Sequence, residues 1–274
     1  MSIENNGKLE LLVDAHVHLQ DCFDLSCFFD SAYQNFCSYV NSPDAGFSAV
    51  LLLSEVAGVQ QFDRLKALCN KDKGGQQAEL GSWRLFETQE SAALEVRGEH
   101  GEEMFIVAGR QIVTLEKLEV HALLTETQFP DGATLAETIH QIKSDGALPV
   151  IPWGVGKWLG VRGKVLLDFI RSDMSDNVFL GDNGGRPALW GTPRHFVDGR
   201  LKGMSVLPGS DSLPLAREVE RVGSFGFKMH GGIVSKHPVS ELKNRLLCDD
   251  LKVEAYGRLR STLGFLKDQV SLRL

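Results

Sequence analysis

Leu11-Leu12-Val13-Asp14-Ala15-His16-Val17-His18 is the stretch from which the organisation of this chain follows. Three consecutive apolar residues describe a buried strand, and residues two apart on a strand face the same way. His16 and His18 therefore present two imidazoles side by side at the strand's end. Neutral imidazole is a ligand for zinc, iron or manganese, and such an ion activates water for hydrolysis without an acidic medium. Two histidines in this spacing also occur as ordinary surface residues. The place of the pair after an apolar strand, and the residues downstream, decide between the two readings.

Similar short apolar runs recur at 49–53, 105–108, 120–124, 148–151, 178–180 and 205–207, and predict further buried parallel strands. Helix-period stripes separate most of them. Leu135, Ile139 and Ile142 form one before Gly146, and Leu213, Leu215, Val219 and Val222 form another before Gly223. Six or seven βα units in 274 residues favour a closed barrel, with an open doubly wound sheet as the alternative. A polar, Gly-containing loop at 70–77 interrupts the rhythm. The segments 83–88 and 92–96 behind it read as a small β-hairpin inserted beside the barrel, within about 70–100, and a helix is the competing reading. Residues 225–229 read either as a late strand or as a loop. Leu242, Leu246, Leu259, Leu263 and Leu266 predict closing helices over 238–274, so that 1–274 forms one domain.

Composition narrows the function. With 43% hydrophobic residues the chain can bury one large core. A net charge of -7 and a pI of about 5.6, with Lys and Arg scattered, leave no basic stripe, so nucleic acid is not expected as the main partner. The five cysteines, Cys22, Cys27, Cys37, Cys69 and Cys248, form no CxxC pair, which excludes a zinc ribbon and suits reduced thiols in a cytoplasmic protein. The polar start lacks the pattern of a secretory leader and no run is long enough to span a bilayer, so a cytoplasmic protein without membrane contact is expected. The oligomeric state is not written in the sequence.

In a barrel of βα units, functional residues collect at the C-terminal ends of the strands. Following each strand to its end yields Asp14, His16 and His18, then Ser54 and Glu55, then Arg110 and Gln111, with His121 inside the fourth strand. The fifth delivers Pro152-Trp153-Gly154-Val155-Gly156-Lys157-Trp158, the sixth Gly181-Asp182-Asn183-Gly184-Gly185-Arg186-Pro187, and the seventh Pro208-Gly209-Ser210-Asp211.

Three of these segments, DAHVH at 14–18, AGRQIVTLEKLEVHALL at 108–124 and VLPGSDS at 206–212, resemble the PHP family, the polymerase and histidinol phosphatase superfamily of metal-dependent phosphoesterases. The resemblance implies an α/β fold, a distorted TIM-like (β/α)7 barrel, with up to three metal ions. It carries the opening pair onto His16 and His18, the middle His onto His121 and the closing Asp onto Asp211. The chain departs from the family at Gln111, where a bridging Glu is expected, at Trp153, where a His-Pro is expected, and at Leu213, which replaces the final His. Glutamine is a poor ligand for a dication and tryptophan cannot coordinate one. The donors that remain imply one divalent ion, zinc, manganese or iron, on His16, His18 and Asp211 rather than three. Amidohydrolases resemble the chain in the HxH pair and the last Asp, but they also want a His pair and a bridging Lys or Glu between them.

The resemblance implies a metal-dependent hydrolase, a phosphoesterase acting on a small anionic substrate through an activated water, with C–N hydrolysis as a further alternative. Arg110, Lys157 and Arg186 would hold the anionic oxygens, and Asp182 would serve as a partner to a His or as a proton carrier. The glycines around 154–160 and 181–185 would let backbone amides approach the anion, or simply make tight turns. A rival reading is a degenerate, non-catalytic barrel that binds an anionic ligand or a partner protein through Trp153, Trp158 and Lys157. Plainer roles stand beside each candidate: His121 as a satisfied core histidine, and Asp211 as a helix cap.

Overall fold

A computed structural model describes residues 10–41, 46–69, 80–233 and 236–273, so the polar loop at 70–77 and the chain's first nine residues lie outside the described residues. One sheet has seven strands. At its centre β1 (Glu10–Val17) runs parallel to β2 (Phe47–Leu53), and β2 runs parallel to β5 (Glu103–Val107). Beyond β5 lies an antiparallel hairpin, β3 (Trp83–Glu87) and β4 (Ala93–Gly98). On the other side β11 (Phe225–His230) pairs antiparallel with β1, and β12 (Glu254–Gly257) pairs antiparallel with β11. The second sheet has five strands. β8 (Leu148–Pro152), β9 (Phe179–Asn183) and β10 (Val206–Gly209) run parallel, while β7 (Glu119–Leu123) and β6 (Gly109–Val113) are antiparallel.

The expected (β/α)7 barrel is therefore corrected: the described residues form two mixed sheets and no closed barrel. The alternation of strand and helix fails in the middle, where β5, β6 and β7 follow one another with no helix between them, and β7 pairs antiparallel with both neighbours. Antiparallel neighbours need only a tight turn, whereas parallel ones need a crossover. The sequence of β6, Gly109-Arg110-Gln111-Ile112-Val113, is not an apolar run, which is why periodicity passes over it. The sheets meet at two seams. At one, Glu55 bridges to Arg110, with Glu55 N–H donating to Gly109 O at 3.1 Å and Gln111 N–H to Glu55 O at 2.8 Å. At the other, Asp211 N–H donates to His16 O at 2.8 Å.

The core explains the apolar runs. Leu11, Val13 and Ala15 of β1 join an inner cluster with Val107, Leu123, Val150, Phe179, Leu207 and Phe227, drawn from both sheets. Leu12 and Val17 point the other way, into a cluster with Phe28, Phe29 and Phe36 of α1 (Leu25–Tyr39) and Leu65 of α2 (Gln61–Cys69). Both faces of β1 are covered, so its sequence is continuous rather than alternating, and each fully buried Leu or Val is worth about 1.5–3 kcal/mol. A third cluster packs the five-stranded sheet against α3 (Leu135–Ser144), α4 (Gly160–Arg171) and α5 (Arg194–Leu201). α3 follows the predicted stripe and starts at a capping box in which Thr134 and Glu137 each accept the other's backbone N–H.

Other expectations change. The stripe at 213–222 yields only a 3-10 turn at Ala216–Arg221. Pro214 lacks an N–H, and Leu215 is extended and supplies no side-chain cap. The hairpin forms, but as the edge of the seven-stranded sheet rather than as a separate insert. Residues 225–229 are a strand, and β12 interrupts the expected closing helices. α6 (Pro238–Leu246) buries Leu242 and Leu246, whereas α7 (Thr262–Ser271) leaves Leu263 and Leu266 exposed. Among the described residues no helix is long and apolar enough to cross a membrane.

Candidate metal centre

The end of β1 is shaped by its neighbours. The pairing of β1 with β2 shifts register between Asp14 and Val17, an irregularity of the kind that re-aims side chains at strand ends. β10 lies against the same segment at Gly209, where a Cβ would stand 2.2 Å from the backbone nitrogen of His16, so only glycine permits the approach. Two residues later Asp211 sits at φ +49, a left-handed conformation rare for a side-chain-bearing residue and held here by its bond to His16 O. The result is a triangle of donors. His16 Nε2 and His18 Nε2 are 3.0 Å apart, and Asp211 Oδ1 is 3.4 Å from each.

Four ligands placed tetrahedrally about 2.1 Å from one ion are about 3.4 Å apart, so these three atoms have the spacing of a shared metal. Among the described residues they are the group of His, Cys, Asp or Glu donors close enough to hold one ion. Burial lowers the His16 imidazole to about 4; the Asp211 charge opposes this and His18 adds to it. His16 is neutral at neutral pH, as a ligand must be. Burial alone would raise the Asp211 carboxyl, but His16, His18 and a hydrogen bond from Asn183 outweigh it and hold the group well below the usual carboxylate range. Asp211 is therefore ionised. Asn183 Nδ2 donates to Asp211 Oδ2, and its own Oδ1 accepts from Gly185 N–H at 2.6 Å, which fixes the amide.

Asp14 is buried and anchors the backbone. Its Oδ1 accepts from the N–H of His16 at 3.2 Å and of Ser210 at 2.8 Å, and its Oδ2 accepts from Gly223 N–H at 2.9 Å. Burial pushes its carboxyl up to about 6 despite these bonds. His121 is buried too. Its Nδ1 lies 3.2 Å from Ser54 Oγ and its Nε2 3.2 Å from Gln111 Oε1, so both ring nitrogens have partners, and its ring stands edge-on to His16 at 4.2 Å. Burial first, then His16 and His18, hold its pKa well below the usual histidine range. The geometry makes it a wall for the His16 ring.

The three cations expected at the mouth are each paired with a carboxylate. Arg110 is buried against Glu55 and donates to Val59 O at 2.9 Å. Arg186 grips Asp182 through two bonds of 2.8 Å, and Lys157 lies 2.8 Å from Glu119. The cleft beside the triad, about 300 Å3, is lined by His18, Gln20, Asp21, Glu55, Gln111 and Asp211 together with apolar residues and Ser212, and among the described residues no Lys or Arg stands on its wall. Trp153 and Trp158 are buried in the core, Trp158 edge-on to Phe196 at 5.2 Å, and do not form a recognition surface. Sequence reading missed Asn183 and chose its neighbour Asp182. Strand parity was the available signal, since adjacent residues of β9 face opposite ways and Asn183 is the buried one.

No protein-family model matches the chain, and no curated protein matches it. Solved structures do. PsfC from Pseudomonas syringae PB-5123 is 13% identical, with a TM-score of 0.59 over 96% of this chain and 98% of that one, which shows a shared fold. The lesion-specific endonuclease PfuEndoQ from Pyrococcus furiosus is 9% identical, with a TM-score of 0.46 over 96% of this chain and 66% of that one. Endonuclease Q bound to a 27-mer duplex with an abasic lesion at its active site is 11% identical, with a TM-score of 0.43 over 86% and 56%. The expectation that nucleic acid is not a main partner is corrected here, because net charge does not decide it. A net charge of -7 sums over the whole surface, whereas a bound phosphate responds to the local field of its site, so the charge excludes nothing of this kind.

Proposed function

We propose that the chain is a metal-dependent hydrolase of PHP type in which His16, His18 and Asp211 hold one divalent ion, zinc, manganese or iron, and that its substrate is a phosphoester. The observation that carries this reading is the donor triangle of 3.0–3.4 Å opening on a cleft. Bound there, the ion supplies Lewis acidity that brings a water's pKa toward neutrality and polarises a phosphoryl oxygen.

The chain's own residues do the positioning. Asp14 ties the backbone of His16 to that of Ser210, one residue before Asp211, so two ligands from distant parts of the sequence keep one spacing. Asn183 occupies Asp211 Oδ2 and leaves Oδ1 facing the two histidines. His121 takes Gln111 Oε1, which turns the amide NH2 of Gln111 away from His121 as a neutral donor beside the cleft. With Asp21 on the wall, Glu55 held by Arg110 and no Lys or Arg among the described residues lining it, the cleft favours a substrate of low charge, a phosphodiester over a polyphosphate. Arg110, Lys157 and Arg186 act by holding Glu55, Glu119 and Asp182 in place.

The test is elemental analysis of untagged protein purified without chelator, joined to an assay with bis(p-nitrophenyl) phosphate. The reading expects about one ion per chain, loss of metal and turnover in a His16→Ala and His18→Ala double variant, and turnover lost to chelator and restored by metal. Absence of bound metal after incubation with each of the three ions would overturn it.

A further inference from the structure

A second cavity, of about 360 Å3, lies between the end of α1, the turn before β11 and the first turn of α7, and shares no wall residue with the metal cleft. Its wall carries Arg221, Arg258 and Arg260, the hydroxyl-bearing residues Tyr39, Ser224 and Ser261, and no carboxylate among the described residues. In a chain of net charge -7 this open depression is locally cationic.

The carboxylates that balance these arginines sit behind the wall. Glu218 and Asp268 are both buried. Glu218 lies 3.5 Å from Arg221 and 2.8 Å from Arg260, and Asp268 lies 2.6 Å from Arg260 and 3.2 Å from Arg217. Arg221 and Arg260 on the wall are thus matched by two buried carboxylates, and the net positive charge of the wall is that of Arg258. Arg258 is exposed, and its side chain has no ion pair or hydrogen bond among the described residues. Burial, and then the charge of Arg260, depress the Arg221 guanidinium, while Glu218 and Asp268 oppose this from behind the wall.

We propose that this cavity binds a phosphoryl group. Guanidinium forks match tetrahedral oxyanions with paired N–H bonds, and the surrounding hydroxyls complete the shell. The anion would supply a counter-charge to Arg258 beside the guanidiniums of Arg221 and Arg260. A free phosphate ester and a nucleic-acid backbone present the same group, and the binding experiment separates them.

Isothermal titration of the full chain, metal-free and at low ionic strength, with inorganic pyrophosphate and separately with a short oligodeoxythymidylate tests the site. Saturable pyrophosphate binding is expected, weakened about tenfold by Arg258→Ala and lost in Arg258→Glu. Because Arg258 is exposed and has no partner among the described residues, these variants keep the native fold, which circular dichroism verifies. The His16→Ala and His18→Ala double variant should bind pyrophosphate as the natural chain does, which separates this site from the metal centre. Oligonucleotide binding with the same Arg258 dependence would assign a backbone phosphate, and pyrophosphate binding alone would assign a free one. The proposal is overturned by no saturable binding of either probe, by unchanged affinity in Arg258→Glu, or by loss of binding in the histidine double variant.

Discussion

Asp211 can point Oδ1 at two histidines because Asn183 occupies its other oxygen and a left-handed backbone turns it inward. Outer partners of metal ligands typically contribute 10- to 100-fold to affinity. Asn183→Ala should weaken metal binding by about that factor in a chelator competition, and, because it leaves Gly185 N–H without its buried acceptor, should also cost about 1–3 kcal/mol of stability. Gly209 is as constrained for a different reason. A Gly209→Ala methyl meets the His16 backbone, and a cost of about 3 kcal/mol is expected in urea unfolding. Asp14 carries a pH signature. Its carboxyl is pushed up to about 6 in the folded chain, against an ordinary value near 4, so between those pH values the folded state keeps a proton that the unfolded state has released. Stability from this group then falls as pH rises through the window. Relative to the natural metal-free chain, Asp14→Asn should gain about 3 kcal/mol between pH 4 and pH 6, measured as urea midpoints. No relative gain would mean that Asp14 is ionised throughout.

At the scale of elements, what was legible followed from burial on both faces. β1, β2, β8 and β9 are covered on either side, so their apolar runs stand out, and α3 shows its stripe because one face alone is buried. β6 was not legible, since Arg110 and Gln111 break its apolar character and their partners, Glu55 and His121, come from other elements. The helix expected at 213–222 failed through Pro214 and an uncapped start. Capping matters where a helix does form. Thr134→Ala should cost about 1 kcal/mol of stability, seen in the urea midpoint, with metal content unchanged, because α3 packs on the sheet's outer face away from the triad.

For the molecule as a whole, two sheets share one interior cluster and touch at two seams, one at Glu55 and Arg110, the other at His16 and Asp211. The first seam is a buried ion pair, and removing one partner strands the other's charge. Glu55→Ala should therefore destabilise the fold by about 3–5 kcal/mol, read as a lowered unfolding midpoint. By itself the sequence determined the buried strands, the HxH pair at the end of the first and an Asp at the end of a late one, because hydrophobic periodicity and residue chemistry are local properties. Only the tertiary structure decided that the strands divide into two mixed sheets, that His16, His18 and Asp211 meet at 3.0–3.4 Å, and that Arg110, Lys157 and Arg186 are taken by carboxylates. Strand direction and charge pairing depend on partners far away in the chain, and no local pattern encodes which of them will be neighbours.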